Sequence, residues 1–160
     1  MKAKINNQSF IHFNNFSIES TLDAVASTFT LEAFFDYSNA EHRVIFKPLS
    51  YNKIQIFDDE EKLILTGIIL VHDFNAKPTT ELVSISGYSL PGVIEDCNVP
   101  YNLYPLENLK MNLVEIAKRF IRPFGLNLVV DSSVKNEVGL IYSTSVCQPE
   151  DSIKDYLSKL

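Results

Sequence analysis

The sequence predicts an α+β chain that is mainly β, an antiparallel β-barrel or sandwich carrying helices at one side. Three observations predict it. Short runs between Ala3 and Tyr88 alternate apolar and polar residues, the period that puts successive side chains on opposite faces of a strand. Two of them, 63–71 and 81–88, flank the polar cluster Asn75-Ala76-Lys77-Pro78-Thr79-Thr80 and read as the hairpin around which the rest is built. After Cys97 the texture changes, and two segments carry helical spacing and helix-end signals.

Taken in order, 3–5 and 9–13 read as a hairpin around Asn6-Asn7, a pair that tolerates positive φ. Residues 16–20 read as a third strand, and the small, mixed segment 21–27 as one helical turn. In 28–35, Phe29, Leu31, Ala33 and Phe35 face one way and Thr30 and Glu32 the other. Phe34 breaks the polar face and is a candidate contact residue. Residues 36–41 read as a polar loop. Val44 and Phe46 share a face before Pro48 interrupts, and Ile54 and Ile56 share another. Asp58-Asp59-Glu60-Glu61 lacks the spacing of a calcium-binding EF-hand and reads as a solvated hairpin tip.

The run 63–71 is apolar on both faces apart from Thr66 and Gly67, yet far shorter than the roughly 20 residues of a membrane helix. It suits a strand with one face in a core and the other in a core or a contact. In 81–88, Val83 and Ile85 face one way and Ser84 and Ser86 the other, and Pro91-Gly92 ends the run.

Residues 98–108, with Pro100, Tyr101, Tyr104 and Pro105, have loop composition. Asn112 reads as a helix N-cap, with Glu115 placed to reach back to it. Leu113, Ile116, Ala117 and Phe120 form the apolar stripe of that helix. Lys118, Arg119 and Arg122 sit near its C-terminus, where the helix dipole favours cations, and Pro123 and Gly125 stop it. Leu126, Leu128 and Val130 alternate as a strand, and 139–145 reads as another. Pro149-Glu150-Asp151 opens a last helix with Ile153, Tyr156, Leu157 and Leu160 as its stripe. That stripe has no C-cap, so the expectation is a natural chain that continues. The order is eight to ten short strands, a helix, one or two strands and a helix. The expected domains are 1–97, a β-barrel, and 98–160, a helix-strand-helix segment that begins a second domain.

Composition narrows the function. The 160 residues are 46% hydrophobic, enough for a core and too much for wholesale disorder. The net charge of −6 argues against a nucleic-acid binder, which presents a basic face. Met1–Lys4 has no apolar core behind it, so no secretory leader is expected, and Cys97 and Cys147 are expected as reduced thiols in a cytoplasmic environment. Two cysteines are too few for a disulfide scaffold or a zinc site.

No catalytic constellation emerges. His12, His42 and His72 stand alone on separate segments, without metal-ligand spacing. There is no nucleophile elbow, phosphate loop or dinucleotide fingerprint, and no pair of carboxylates stands out for acid–base work. No catalytic, cofactor-binding or metal-binding residue is assigned. The 11 Phe and 7 Tyr lack the interleaved basic residues that a single-strand stacking platform needs. Phe34, Tyr101 and Tyr104 suit a glycan- or peptide-binding module.

The order of the pieces resembles the baseplate hub proteins of contractile-tailed phages, a family found also in prophages and related contractile injection systems. Phe16-Ser17-Ile18-Glu19-Ser20, followed by Ala26-Ser27-Thr28-Phe29-Thr30-Leu31, resembles the family's opening strand, turn and strand. Leu65-Thr66-Gly67-Ile68-Ile69 is similar to its Thr-Gly strand. Ser84-Ile85-Ser86-Gly87-Tyr88-Ser89 with Ile94-Glu95-Asp96-Cys97 resembles the segment that follows. Residues 113–117 with Pro123-Phe124-Gly125-Leu126 are similar to its helix and strand, and Pro149-Glu150-Asp151-Ser152 through Leu160 to its last helix. Tyr88 stands where the family has an arginine and Val93-Ile94 where it has Asp-Leu, so a local salt bridge is not carried over.

The resemblance covers nearly all of the chain and implies a structural role. It implies a tail-tube-like barrel, a homotrimeric ring joining tail tube to central spike, and a bore continuing the tube channel. The implied partners are its own copies, the tail tube protein, the central spike protein and other baseplate components. DNA would pass through without specific binding, and no cofactor, catalysis or membrane insertion is implied. The implied location is the virion tail baseplate, assembled in the bacterial host cytoplasm. The alternative is a tail tube or spike-adaptor protein of a related contractile injection system.

Overall fold

The first hairpin is set by Asn6 and Asn7, whose φ of 48° and 69° are the left-handed pair of a tight turn. They join strands β1 (Lys2–Ile5) and β2 (Gln8–Phe10). The computed structural model describes residues 1–11, 13–77 and 80–160. These divide into two compact units, Met1–Leu90 and Pro91–Leu160. The sequence places the boundary after Cys97; the contacts place Pro91–Cys97 in the second unit.

Unit 1 is one antiparallel sheet. After β1 and β2 come β3 (Phe13–Glu19), β4 (Thr28–Phe34), β5 (Lys53–Phe57), β6 (Leu63–Lys77) and β7 (Thr80–Ser89), in the spatial order β2-β1-β5-β6-β7-β4-β3. Buried residues from β2 at one edge (Phe10) to β4 beside the other (Phe29, Leu31, Ala33) belong to a single core, and Phe13, Phe16 and Ile18 of the far edge strand β3 pack against it. One face of one sheet can do this only by curling on itself, so the sheet is an open half-barrel and not a closed barrel.

Helix α1 (Ala40–Ile45) fills the opening: Phe46, just past its end, meets Phe10 of β2 with ring centroids 5.3 Å apart and Phe35, after β4, at 6.1 Å. This helix replaces part of the loop expected over 36–41 and the alternation read at Val44 and Phe46. His42, Ile45 and Phe46 lie at helical spacing toward the core, Val44 is exposed, and the Asn39 side chain accepts from the Glu41 amide at 2.9 Å. Asn52, buried, ties this helix to the first hairpin: its amide donates to the Ile45 carbonyl and its Oδ1 accepts from Asn6.

β6 explains its own apolar run. Between Ile69 and Val71 the register against β7 shifts, so Leu70 is an inserted bulge residue. Before it, Leu65 and Ile69 point into the core; after it, His72 opposite Ile85 and Phe74 opposite Val83 take the inward face, and Val71 turns out. The strand runs to Lys77 and β7 starts at Thr80, so Asn75, Ala76, Lys77 and Thr80 of the expected turn belong to strands; Pro78 and Thr79 lie outside the described residues, as does His12. The helical turn expected over 21–27 is instead irregular, with one Ala24 amide to Thr21 carbonyl bond of 3.3 Å.

Unit 2 holds α2 (Val93–Asp96), β8 (Glu107–Asn112), α3 (Leu113–Ile121), β9 (Ile141–Val146) and α4 (Ile153–Ser158). The cap of α3 is the one expected: Asn112 Oδ1 accepts from the Glu115 amide and the Glu115 carboxylate accepts from the Asn112 amide, both at 2.9 Å. Gly125, with φ 69°, closes the end. Ile116, Phe120, Ile153 and Tyr156 form the core with Val99, Leu106 and Cys147.

Two expectations fail here. Residues 107–112 form a strand whose first two residues the sequence reads as the end of a loop over 98–108, because the ladder to β9 outweighs the poor strand propensity of Asn and Lys. Residues 126–130 are unpaired, because alternation makes a strand only where a neighbouring backbone supplies a ladder.

Candidate functional site

The most shaped surface of unit 1 is an aromatic cleft at the open end of its sheet. Its floor exists because the bulge turns Phe74 inward beyond the reach of β5, beside Phe35, ring centroids 5.0 Å apart and edge to face. Phe46 and Pro48 complete a cavity of about 420 Å3, with Tyr37, Arg43 and Lys47 at its rim. A smaller recess of about 190 Å3 shares Phe35, Tyr37 and Phe74 and runs on to Glu81 and Leu82. The Arg43 guanidinium lies 5.7 Å from the Tyr37 ring centre and donates to the Tyr37 carbonyl at 2.7 Å. Neither Arg43, Lys47 nor Glu81 makes an ion pair among the described residues.

His42 belongs to this cluster as a structural residue. Its Nδ1 accepts the Asp36 amide at 3.0 Å, and its ring packs on Phe10, Phe35 and Phe46. Asp36 itself accepts from the Ser38 hydroxyl and amide, which hold its carboxyl below the usual range. His72 lies along the same strand as Phe74, with Nε2 buried and without a hydrogen-bond partner among the described residues. Burial pulls its pKa below the usual histidine value. At Asp58–Glu61, the Asp58 carboxylate accepts the amides of Glu60 and Lys62, while Asp59 and Glu61 pair with the Met1 amino group and Lys2. The carboxylates of Asp58, Asp59 and Glu61 are thus engaged in turn-making and ion pairs.

A second surface is the outward face of β6, where Leu63, Ile64 and Val71 are all about half exposed. Exposed apolar side chains gathered on one strand suit a contact surface. Phe34, the contact residue proposed from sequence, is 51% exposed on β4.

In unit 2 the chemistry is internal. Arg119, in the last turn of α3 as expected, reaches back to oxygen acceptors. Its guanidinium donates to the carbonyls of Leu103 (2.7 Å), Pro105 (2.6 Å) and Glu107 (3.1 Å) and to Asn108 Oδ1 (2.6 Å). Asn108 passes the network to Tyr156, whose hydroxyl lies 2.8 Å from Ser145. Tyr101 and Tyr104 stack near this loop, centroids 5.4 Å apart, on the surface. Cys147 is buried, and burial with the nearby Asp151 carboxylate pushes its thiol up to about 11; Cys97 is half-buried, and both are free thiols. Among the described residues no group of three or more His, Cys, Asp or Glu gathers as a metal set, and no helix is long and apolar enough to cross a membrane.

No protein-family model and no curated protein matches the chain. Among solved structures it is similar to the 43 kDa tail protein of prophage MuSo2 from Shewanella oneidensis. That match has a TM-score of 0.80 and 18% identity, and covers 99% of this chain and 47% of the other. It is also similar to the tail protein from Neisseria meningitidis MC58, with a TM-score of 0.71 and 18% identity over 98% of this chain and 43% of that one. The chain spans about half the length of these proteins. What it shares with them is the fold, an α+β and mainly antiparallel β architecture found in phage tail proteins.

Proposed function

We propose that the chain is a structural component of a phage tail, and within the tail the baseplate hub. In this reading three copies form a ring between tail tube and central spike, and its bore continues the tube channel. The observation that carries the proposal is the fold match over 99% of the chain to a prophage tail protein. The order of hub-like segments in the sequence supports the finer assignment. A half-barrel with an apolar outward stripe on β6 suits a wall segment that is completed by neighbours, and heterologous contacts of that kind close into rings. A net charge of −6 suits a channel that DNA slides through without sticking. The role is structural and not catalytic, and its place is the virion tail, after assembly in the host cytoplasm.

Light scattering and negative-stain imaging of the full-length protein test the ring. The expected result is a three-subunit annulus; a strict monomer at high concentration, with no ring, overturns the hub reading. Cross-linking in an assembled tail separates hub from tube or spike adaptor by naming the neighbours.

A further inference from the structure

We propose that the aromatic groove of unit 1 docks a partner polypeptide segment in which apolar residues are flanked by carboxylates on one side and by cations on the other. The groove would take such a segment whether or not the chain builds a hub ring. Its floor is the row Phe46, Phe35, Phe74, fixed by edge-to-face contacts at 6.1 and 5.0 Å, so it is formed before anything binds. Phe46 is itself a core residue, 1% exposed, and an apolar side chain laid on this floor extends the existing core. The two connected recesses, about 420 and 190 Å3, are of the size that holds a few side chains and not an extended surface.

The charges select the occupant. The chain is acidic overall, yet Arg43 and Lys47 stand together at one end of the groove with no carboxylate paired to either among the described residues. Arg43 is already held in place by the Tyr37 carbonyl and ring, so little side-chain freedom is lost when it meets an anion. Glu81 stands at the other end, also without an ion pair among the described residues. This polarity gives the occupant a direction: acid toward Lys47, base toward Glu81. The Glu81 carbonyl already accepts the Phe35 amide at 3.0 Å, so the ladder there is closed and side chains carry the recognition.

The test uses the full chain and fluorescein-labelled synthetic peptides with aspartates at one end, a phenylalanine-leucine centre and lysines at the other. Anisotropy is expected to show saturable binding, weakened about tenfold by serine in place of the phenylalanine. Lys47→Glu and Arg43→Glu are each expected to weaken it about tenfold at low salt, and Glu81→Lys to weaken it comparably. Lys47 makes no side-chain hydrogen bond among the described residues, so its variant tests the charge without touching the fold; far-ultraviolet circular dichroism checks the others. No binding of the peptide at millimolar concentration overturns the proposal. So does equal binding of a peptide with its charges removed, binding unchanged in the Lys47→Glu and Arg43→Glu variants, or saturable binding of oligosaccharides in the peptide's place.

Discussion

A Cβ built on Gly87 would stand 1.9 Å from the carbonyl oxygen of Ile68, and one on Gly67 would stand 2.4 Å from the carbonyl oxygen of Tyr88. The two glycines lie diagonally across the β6–β7 ladder: Gly87 pairs with Ile69, next to the bulge at Leu70, and Gly67 pairs with Ser89. They let the backbones cross closely where the sheet turns its inward face from odd to even residues. Both obstacles are main chain and cannot swing aside. Gly87→Ala and Gly67→Ala are therefore expected to destabilise unit 1 by about 1–3 kcal/mol each. Gly125→Ala meets no atom within 4 Å and bears only the strain of its positive φ, about 1 kcal/mol. Urea denaturation of the three variants, compared by midpoint at constant m-value, reads the difference; an unshifted Gly87→Ala would contradict the close crossing.

Arg119 hydrogen-bonds the loop 103–107 of unit 2 to α3. Removing its guanidinium leaves Asn108 Oδ1, at a residue 1% exposed, and three carbonyls without their donor. Arg119→Met keeps the aliphatic stem and is expected to cost about 2–4 kcal/mol, since a buried acceptor left unpaired carries its full desolvation penalty. Arg119→Lys recovers only part, because an ammonium cannot span acceptors arranged for a planar fork. Hydrogen exchange should localise the loss to amides around 103–108; uniform loss across both units would contradict a local clasp.

Elements whose cause is local were legible in the sequence: the Asn6-Asn7 turn, the Asn112–Glu115 cap, the Gly125 stop, and the alternation that buries Phe29, Leu31 and Ala33. Features set by distant backbone were not. β8 exists because 141–146 supplies its ladder, and 126–130 stays unpaired because nothing does. The bulge at Leu70 hides in an unbroken apolar run, and it alone brings Phe74 beside Phe35, residues far apart in the chain. The groove therefore could not be found from spacing. The one available signal was the adjacent pair Ile45-Phe46 with His42 a helical turn before it, which marks α1 and hence the plug of the half-barrel.

Cys147 should behave as a hidden thiol. Burial first, and the Asp151 carboxylate second, raise its pKa from 9.0 to about 11, since both disfavour the thiolate. A folded-state pKa above the unfolded one contributes stability that is complete below pH 9 and is lost as pH rises toward 11. Near neutral pH, iodoacetamide followed by peptide mass analysis is expected to label half-buried Cys97 well before Cys147. Labelling of both at equal rates in the native protein would contradict the buried environment.

His72 carries the opposite sign. Its Nε2 is buried without a partner among the described residues on the inward face of β6, opposite Ile85, and burial depresses its pKa below 6.5. The folded state thus prefers the neutral ring, and the unfolded chain takes up the proton first. Stability of unit 1 from this group is full above pH 6.5 and is lost as pH falls through the depressed value. Asp36 adds to acid sensitivity only lower, within and below the ordinary carboxylate range, because its pKa is lowered by its bonds to Ser38. His72→Phe removes both the orphaned nitrogen and the titration. It is expected to leave stability unchanged or slightly raised at pH 8, and to flatten the decline just below pH 6.5 that the parent shows in thermal melts. A variant that loses stability at pH 8, or keeps the parent's slope in mild acid, would show that the imidazole has a partner and is not a buried liability.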